Sequence, residues 1–184
     1  MPRIAPLDYD EMPAAARAAH DGHLRTARIT NMKRTLLHSV PAFDALMTWY
    51  RLRDTVQPFL GERLTTLFAH AVSSETDCLI CSTFFRRILI DSGEDPDAPA
   101  MDEREAAVVA FGRALAQTPH RVPDATYARV ADGFDDEQMV ALTAFGAMMV
   151  ATNVINNVLQ VPLDDYLQPY RRPALAGEGS AADG

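Results

Sequence analysis

Cysteine is scarce in this chain: there are two, Cys78 and Cys81, among 184 residues. In a reducing compartment so sparse a usage is no disulfide framework. A chain of this length also buries about 70% of the surface its unfolded form exposes, so its core needs neither staples nor a structural metal. Positive charge is short as well. Seventeen Lys and Arg stand against 25 Asp and Glu, a net charge of −8, and the basic clusters Lys33-Arg34, Arg86-Arg87 and Arg171-Arg172 are pairs rather than stripes. Such a chain repels phosphate backbones and anionic lipid, which argues against nucleic acid and membrane surfaces as partners. Long apolar runs are missing too. The longest, Met139 to Ala151, falls short of the ~20 residues that cross a bilayer and reads as a buried helix. The start, Met1-Pro2-Arg3-Ile4-Ala5-Pro6, has no apolar stretch and no small-residue cleavage site, so a cytoplasmic protein is expected. No Val/Ile/Thr-rich alternating run sits beside an Asn-Gly or Asp-Gly turn, which removes the ordinary hairpin signals.

What is present is helical spacing almost throughout, so the expected fold is all-α, a single domain over residues 1–172 with about seven to eight helices. Asp10 can cap a first helix, with Pro13 in its opening turn. A short helix follows over Asn31 to His38. Ser39 then caps one whose Phe43, Leu46, Met47 and Tyr50 share a face, ended near Pro58. Gly61 to Ser73 is the next. Asp102 with Glu105 makes a capping-box start for a helix through Gln117, Pro123 and Gly133 bound a short one, and Asp135 or Asp136 opens the longest, to about Val161. The Gly/Ala/Ser-rich residues 173–184 are expected to be a disordered tail.

The sharpest chemical signal is Cys78-Leu79-Ile80-Cys81, directly behind Ser74-Glu75-Thr76-Asp77, a run of possible N-cap side chains. The pair therefore opens a helix. One turn separates the sulfurs, close enough for an intrahelical disulfide, and the unpaired N–H groups of a first turn favour thiolate over thiol. The plain alternative is two small buried hydrophobes; position behind a cap cluster favours the redox dithiol. Zinc would need two further ligands, and no second CxxC or suitable His pair supplies them, so no metal is expected, and no cofactor. Thiol chemistry does need a proton shuttle. Glu75, His70 and Glu62 are the nearby candidates, each with a bland reading: a cap, a satisfied core histidine, a carboxylate that suits a helix dipole. Asn153 and Asn157, four apart on an otherwise apolar helix, line a polar pocket or make hydrogen bonds between helices or subunits.

These segments resemble the AhpD-like alkylhydroperoxidase and carboxymuconolactone decarboxylase family. The resemblance rests on Gly61-Glu62-Arg63-Leu64 leading into Ser73 to Cys81, on the helix Phe84 to Asp91 with Gly93, and more loosely on Asp102 to Leu115 and Phe134 to Gln138. It implies a compact helical unit assembled as a dimer, trimer or hexamer. It also implies a peroxidatic Cys81 and a resolving Cys78 that reduce a small-molecule peroxide and are recycled by an external dithiol protein. The peroxidase branch carries a glutamate twelve residues before the first cysteine and a histidine four after the second; here those positions hold Thr66 and Phe85. Glu62 or Glu75 would then stand in. Helix-terminus electrostatics alone favours Cys78 as the better thiolate. Two other readings stay open: a catalytically degenerate helical assembly or ligand-binding protein, and a cofactor-free lactone decarboxylase independent of both cysteines.

Overall fold

Phenylalanine 68 explains much of the packing. It is fully buried, and the two helices that flank it present glycine: a Cβ on Gly112 would lie 2.9 Å from its ring, and one on Gly146 would lie 3.1 Å from it and 2.9 Å from Leu115. Only hydrogen at these two positions lets three helix backbones close around one aromatic ring. Phe145, one residue before Gly146, stacks on Phe68 with centroids 5.7 Å apart.

The computed structural model describes residues 1–172; the tail expected at 173–184 lies outside the described residues. The elements are α1 (Ala14–Leu24), α2 (Asn31–Leu36), α3 (Val40–Trp49), α4 (Leu52–Glu75), α5 (Leu79–Asp91), α6 (Glu103–Ala116), α7 (Asp124–Ala131) and α8 (Asp136–Leu159), with 3-10 turns at Tyr9–Glu11 and Asp165–Tyr170. There is no strand among the described residues, and the fold is all-α as the spacing predicts. The long helix α4 is the hub, packed against α5, α6 and α8. Arg63 on α4 forms ion pairs with Glu94 and Glu105, tying the hub to the segment after α5 and to the start of α6.

The acidic starts behave as their side chains dictate. Asp102 accepts from the Glu105 N–H at 2.8 Å while Glu105 reaches back to the Asp102 N–H, and Asp135 and Gln138 do the same for α8. Three boundaries differ from the sequence reading. Asp10 lies inside a 3-10 turn, and Pro13 stands at the N-cap of α1. The third helix ends at Trp49 rather than near Pro58, and α4 begins at Leu52 with Pro58 inside it. The break that Pro58 and Gly61 announce is real but sits at Gly61, whose φ of +80° is open to a residue without a side chain and interrupts α4 there. Finally, α8 as a whole is long and apolar enough to cross a bilayer, which the shorter apolar run inside it concealed. Its inward residues, among them Leu142, Phe145, Met148 and Met149, are buried in the core against α4 and α6.

Candidate functional site

The chain leaves α4 through a tight turn. Asp77, exposed and at φ +49°, reverses direction, and the Cys78 N–H donates to the Ser73 carbonyl at 3.0 Å. Cys78 becomes the N-cap of α5 and Cys81 lies in its first turn, so the dithiol opens a helix as expected, but the run before it does not cap that helix: Ser74 and Glu75 still belong to α4, and the Thr76 hydroxyl donates back to the Val72 carbonyl. Both side chains are buried and unbridged, Cys78 completely and Cys81 to 7% exposure.

Three asparagines of α8 hold this turn. Asn153 donates to the Thr76 hydroxyl at 2.7 Å, Asn157 to the Thr76 carbonyl at 2.9 Å, and Asn156 to the sulfurs of Cys81 at 3.3 Å and Cys78 at 3.8 Å. Their offsets of three and four residues put them on one face of the helix. The interhelical alternative for Asn153 and Asn157 is thus met within the chain. Asn156, between them, is the one that reaches the chemistry, and the unusual density of asparagine in an apolar helix was the signal for it.

The two thiols are not equivalent. Cys78 is held below the ordinary thiol range, first because the Cys81 thiol donates to its sulfur, then because the N–H groups of Cys81 and Ile80 and the Asn156 amide favour negative charge there. Those N–H groups act by field and proximity, since no capping hydrogen bond of good geometry closes on Cys78. Cys81 is pushed well above that range by the same hydrogen bond, by burial and by the charge on Cys78. Of the pair, Cys78 is therefore the more acidic thiol and Cys81 the one that keeps its proton more firmly.

Access is unequal in the opposite sense. Cys81 lines a cavity of about 270 Å³ whose other walls include Ile80, Phe84, Phe85, Met47, Met149 and Tyr50. Cys78 lies behind it, off the cavity wall. The Tyr50 phenol is raised above its usual range by burial and by the nearby Cys81, against a smaller opposite effect of the Thr152 hydroxyl, so it stays protonated, and its hydroxyl makes a long contact of 3.9 Å to the Met32 sulfur. Tyr50 carried no motif to mark it; it looked like one more residue on a buried face of α3.

The expected shuttle residues lie elsewhere. Glu75 is exposed and accepts from Gln117 at 2.9 Å. Glu62 is exposed on the outer side of α4, 4.0 Å from Arg53. His70 lines a second cavity, of about 360 Å³, with Arg86, Asp97 and Arg113, and burial and the Arg86 charge hold it down at about 4. None of the three hydrogen-bonds to either sulfur. Thr66 turns its hydroxyl back to the Glu62 carbonyl at 2.9 Å, while Phe85 takes a place on the apolar cavity wall. Among the described residues no cluster of three His, Cys, Asp or Glu is arranged to hold a metal ion.

An all-helical unit whose CxxC opens a helix against a buried long helix is the AhpD-like fold, and this chain has it. The alkylhydroperoxidase AhpD core of an uncharacterized peroxidase-related protein from Ralstonia eutropha JMP134 is similar with a TM-score of 0.72 and 19% identity, covering 90% of this chain and 94% of that one. The debrominase Bmp8 in its apo form is similar at a TM-score of 0.74 and 16% identity over 91% of this chain and 95% of its own. A Cys-to-Ala variant of that debrominase, solved in complex with 2,3,4-tribromopyrrole, gives a TM-score of 0.74 at 15% identity, covering 91% of this chain and 94% of that one. No family model matches the sequence, and no curated protein sequence does.

Proposed function

We propose that this chain is a thiol-dependent reductase of small organic electrophiles, hydroperoxides first, working through Cys81 and Cys78. The observation that carries the reading is the placement of Cys81 on an apolar cavity with a thiolate-prone Cys78 directly behind it. In the proposed cycle the Cys78 thiolate takes the Cys81 proton as substrate enters. Cys81 sulfur then attacks the terminal peroxide oxygen; the O–O bond breaks, Cys81 becomes a sulfenic acid and the leaving alkoxide takes the Tyr50 proton. The phenolate recovers its proton from water. Cys78 next attacks the Cys81 sulfur, forming the disulfide and releasing water. The balance is one hydroperoxide and two thiols to one alcohol, one water and one disulfide, and an external dithiol protein in a reducing, cytoplasmic setting restores the pair. Cys78 and Tyr50 supply in this scheme what Glu62, Glu75 and His70 are not positioned to supply. The small exposed side chains along α8, Val140, Val154 and Val158, suit assembly of further copies into a homo-oligomer.

The test is addition of substoichiometric cumene hydroperoxide to the reduced protein. Paired loss of both thiols with a two-hydrogen mass drop, absent in Cys81→Ser, is the expected result. Thiols that oxidise no faster than a free small-molecule thiol would overturn it.

The aromatic wall of Phe84 and Phe85 and the likeness to a debrominase favour a second reading of the same dithiol. Two thiols supply the electrons that convert an aryl bromide to arene, bromide and a proton, leaving the disulfide. Bromide release from 2,3,4-tribromopyrrole, stoichiometric with disulfide, is its assay.

A further inference from the structure

The cavity that receives Cys81 is not apolar throughout. His23, Lys33, Asp164 and Tyr166 also line it, contributed by α1, α2 and the segment after α8 rather than by α5. The Arg87 guanidinium lies over both the Phe84 ring, at 5.5 Å, and the Tyr166 ring, at 5.7 Å. Arg87 is six residues beyond Cys81, about 9 Å along the helix.

Two atoms in that part of the wall are unmatched. His23 Nε2 and Asp164 Oδ2 are buried and have no hydrogen-bond partner among the described residues. Arg87 Nε is buried and unpartnered as well, whereas other neighbouring groups are matched. Asp164 Oδ1 accepts from the Asn31 N–H at 2.9 Å, Lys33 Nζ donates to the Arg28 carbonyl at 2.6 Å, and the Tyr166 ring carries Arg28 at 4.3 Å. One carboxylate oxygen is thus used to build the fold, and its twin, on a residue that lines the cavity, is left without a donor. A buried carboxylate oxygen without a donor is costly and calls for one. A ligand carboxylate would be repelled by it. A hydroxyl or ring N–H satisfies it, and a hydroxyl also offers a lone pair to His23 in its Nε2–H form.

We propose that Asp164, with His23, anchors the hydroxyl or ring N–H of a small aromatic substrate whose remaining edge lies at Cys81. The chemical class is a hydroxylated or N–H-bearing aromatic electrophile, in preference to hydrogen peroxide or an unsubstituted alkyl hydroperoxide. This deepens the dithiol reading and rests on it for the reaction, but the anchor itself is a binding site and can be read without turnover.

The probes are 2-naphthol, 2-methoxynaphthalene and 2-methylnaphthalene, of nearly equal shape, titrated calorimetrically into the full chain in its reduced state. A donor taken by Asp164 makes 2-naphthol bind about tenfold more tightly than the other two, the order expected of one hydrogen bond. Asp164→Asn keeps an oxygen for the Asn31 N–H and removes the orphan acceptor, so the preference falls to about unity, and His23→Phe reduces it in part. The wild-type comparison of hydroxyl with methoxy needs no variant and stands if either substitution unfolds the chain. Equal binding of the three probes overturns the anchor, as does a preference that survives both substitutions, because solvent would then fill the same role. Selective binding by a protein whose thiols ignore peroxide would leave the anchor standing and sink the dithiol reading instead.

Discussion

The two sides of α5 make opposite environments within one helical turn. Ile80, Cys81, Phe84 and Phe85 face a cavity whose wall around Cys81 is apolar and aromatic and whose polar groups come from α1, α2 and the segment after α8, whereas Leu79, Ser82, Thr83 and Arg86 face one that holds His70, Glu75, Asp97 and Arg113. Of the acids and bases that an inspection of neighbouring residues would nominate, Glu75 and His70 are on the second side and Glu62 lies outside both cavities; the Cys81 sulfur opens on the first. The lesson is that sequence proximity to a CxxC, three residues for Glu75, measures little on a helix, where such an offset brings one residue onto the sulfur's face only if the helix continues through both. Here the turn at Asp77 breaks it.

Substitution at the sulfur should separate the two sides most strongly. Cys81→Ser is expected to lower peroxide turnover by more than ~10³-fold, while Ser82→Ala, one residue on and facing the other cavity, leaves it within about twofold; steady-state assays with a dithiol reductant check both. Comparable losses in the two variants would erase the distinction. Tyr50→Phe comes next. Removal of a proton donor that the polar side cannot replace should reduce kcat by about 10²-fold with KM little changed, and Glu75→Gln should change neither.

Asn156→Ala sharpens the comparison through pH. In the proposed cycle turnover requires the Cys78 thiolate, so the rate should rise as pH passes upward through the Cys78 pKa, and this limb should lie below the ordinary thiol range because Cys78 is held low. Loss of the Asn156 donor raises that pKa and moves the limb to higher pH, with the rate at neutrality falling by about tenfold or less. A rate profile that stays where it was would show that Asn156 serves packing alone.

The smallest effect belongs to the polar side and concerns stability. His70 titrates near 4 in the fold and near 6.5 when unfolded. Between those values the unfolded chain binds the extra proton, so stability declines as pH falls from about 6.5 toward 4, by up to ~3 kcal/mol. His70→Gln should flatten the decline in denaturant melts across that window without altering peroxide turnover at neutral pH. A change in turnover there would tie the polar cavity to the chemistry after all.

How much of this was legible beforehand follows from the range of each interaction. The capping boxes at Asp102–Glu105 and Asp135–Gln138, the dithiol at the start of α5 and the interruption near Gly61 are local, so residues within four positions of one another determine them. The all-α class follows from hydrophobic spacing in the same way. Boundaries slipped where local signals competed, as at Pro58, which ends a helix by rule yet lies inside α4.

The site resisted because its parts are far apart in sequence. Tyr50 reaches the cavity from α3, Asp164 from beyond α8, and Asn156 binds the sulfur of a cysteine 75 residues away. By itself, then, the chain determined its helices, their caps and a cysteine pair primed by a helix start, because propensity, capping and periodicity act over one or two turns. Only tertiary packing decided that Cys81 rather than Cys78 opens on a cavity, that phenylalanines and a tyrosine surround it, and that Glu62, Glu75 and His70 point away. Those outcomes depend on which faces of α4, α5 and α8 bury against each other, and that choice is made by the collective burial of side chains such as Phe68 and Phe145 across helices, not by any local pattern.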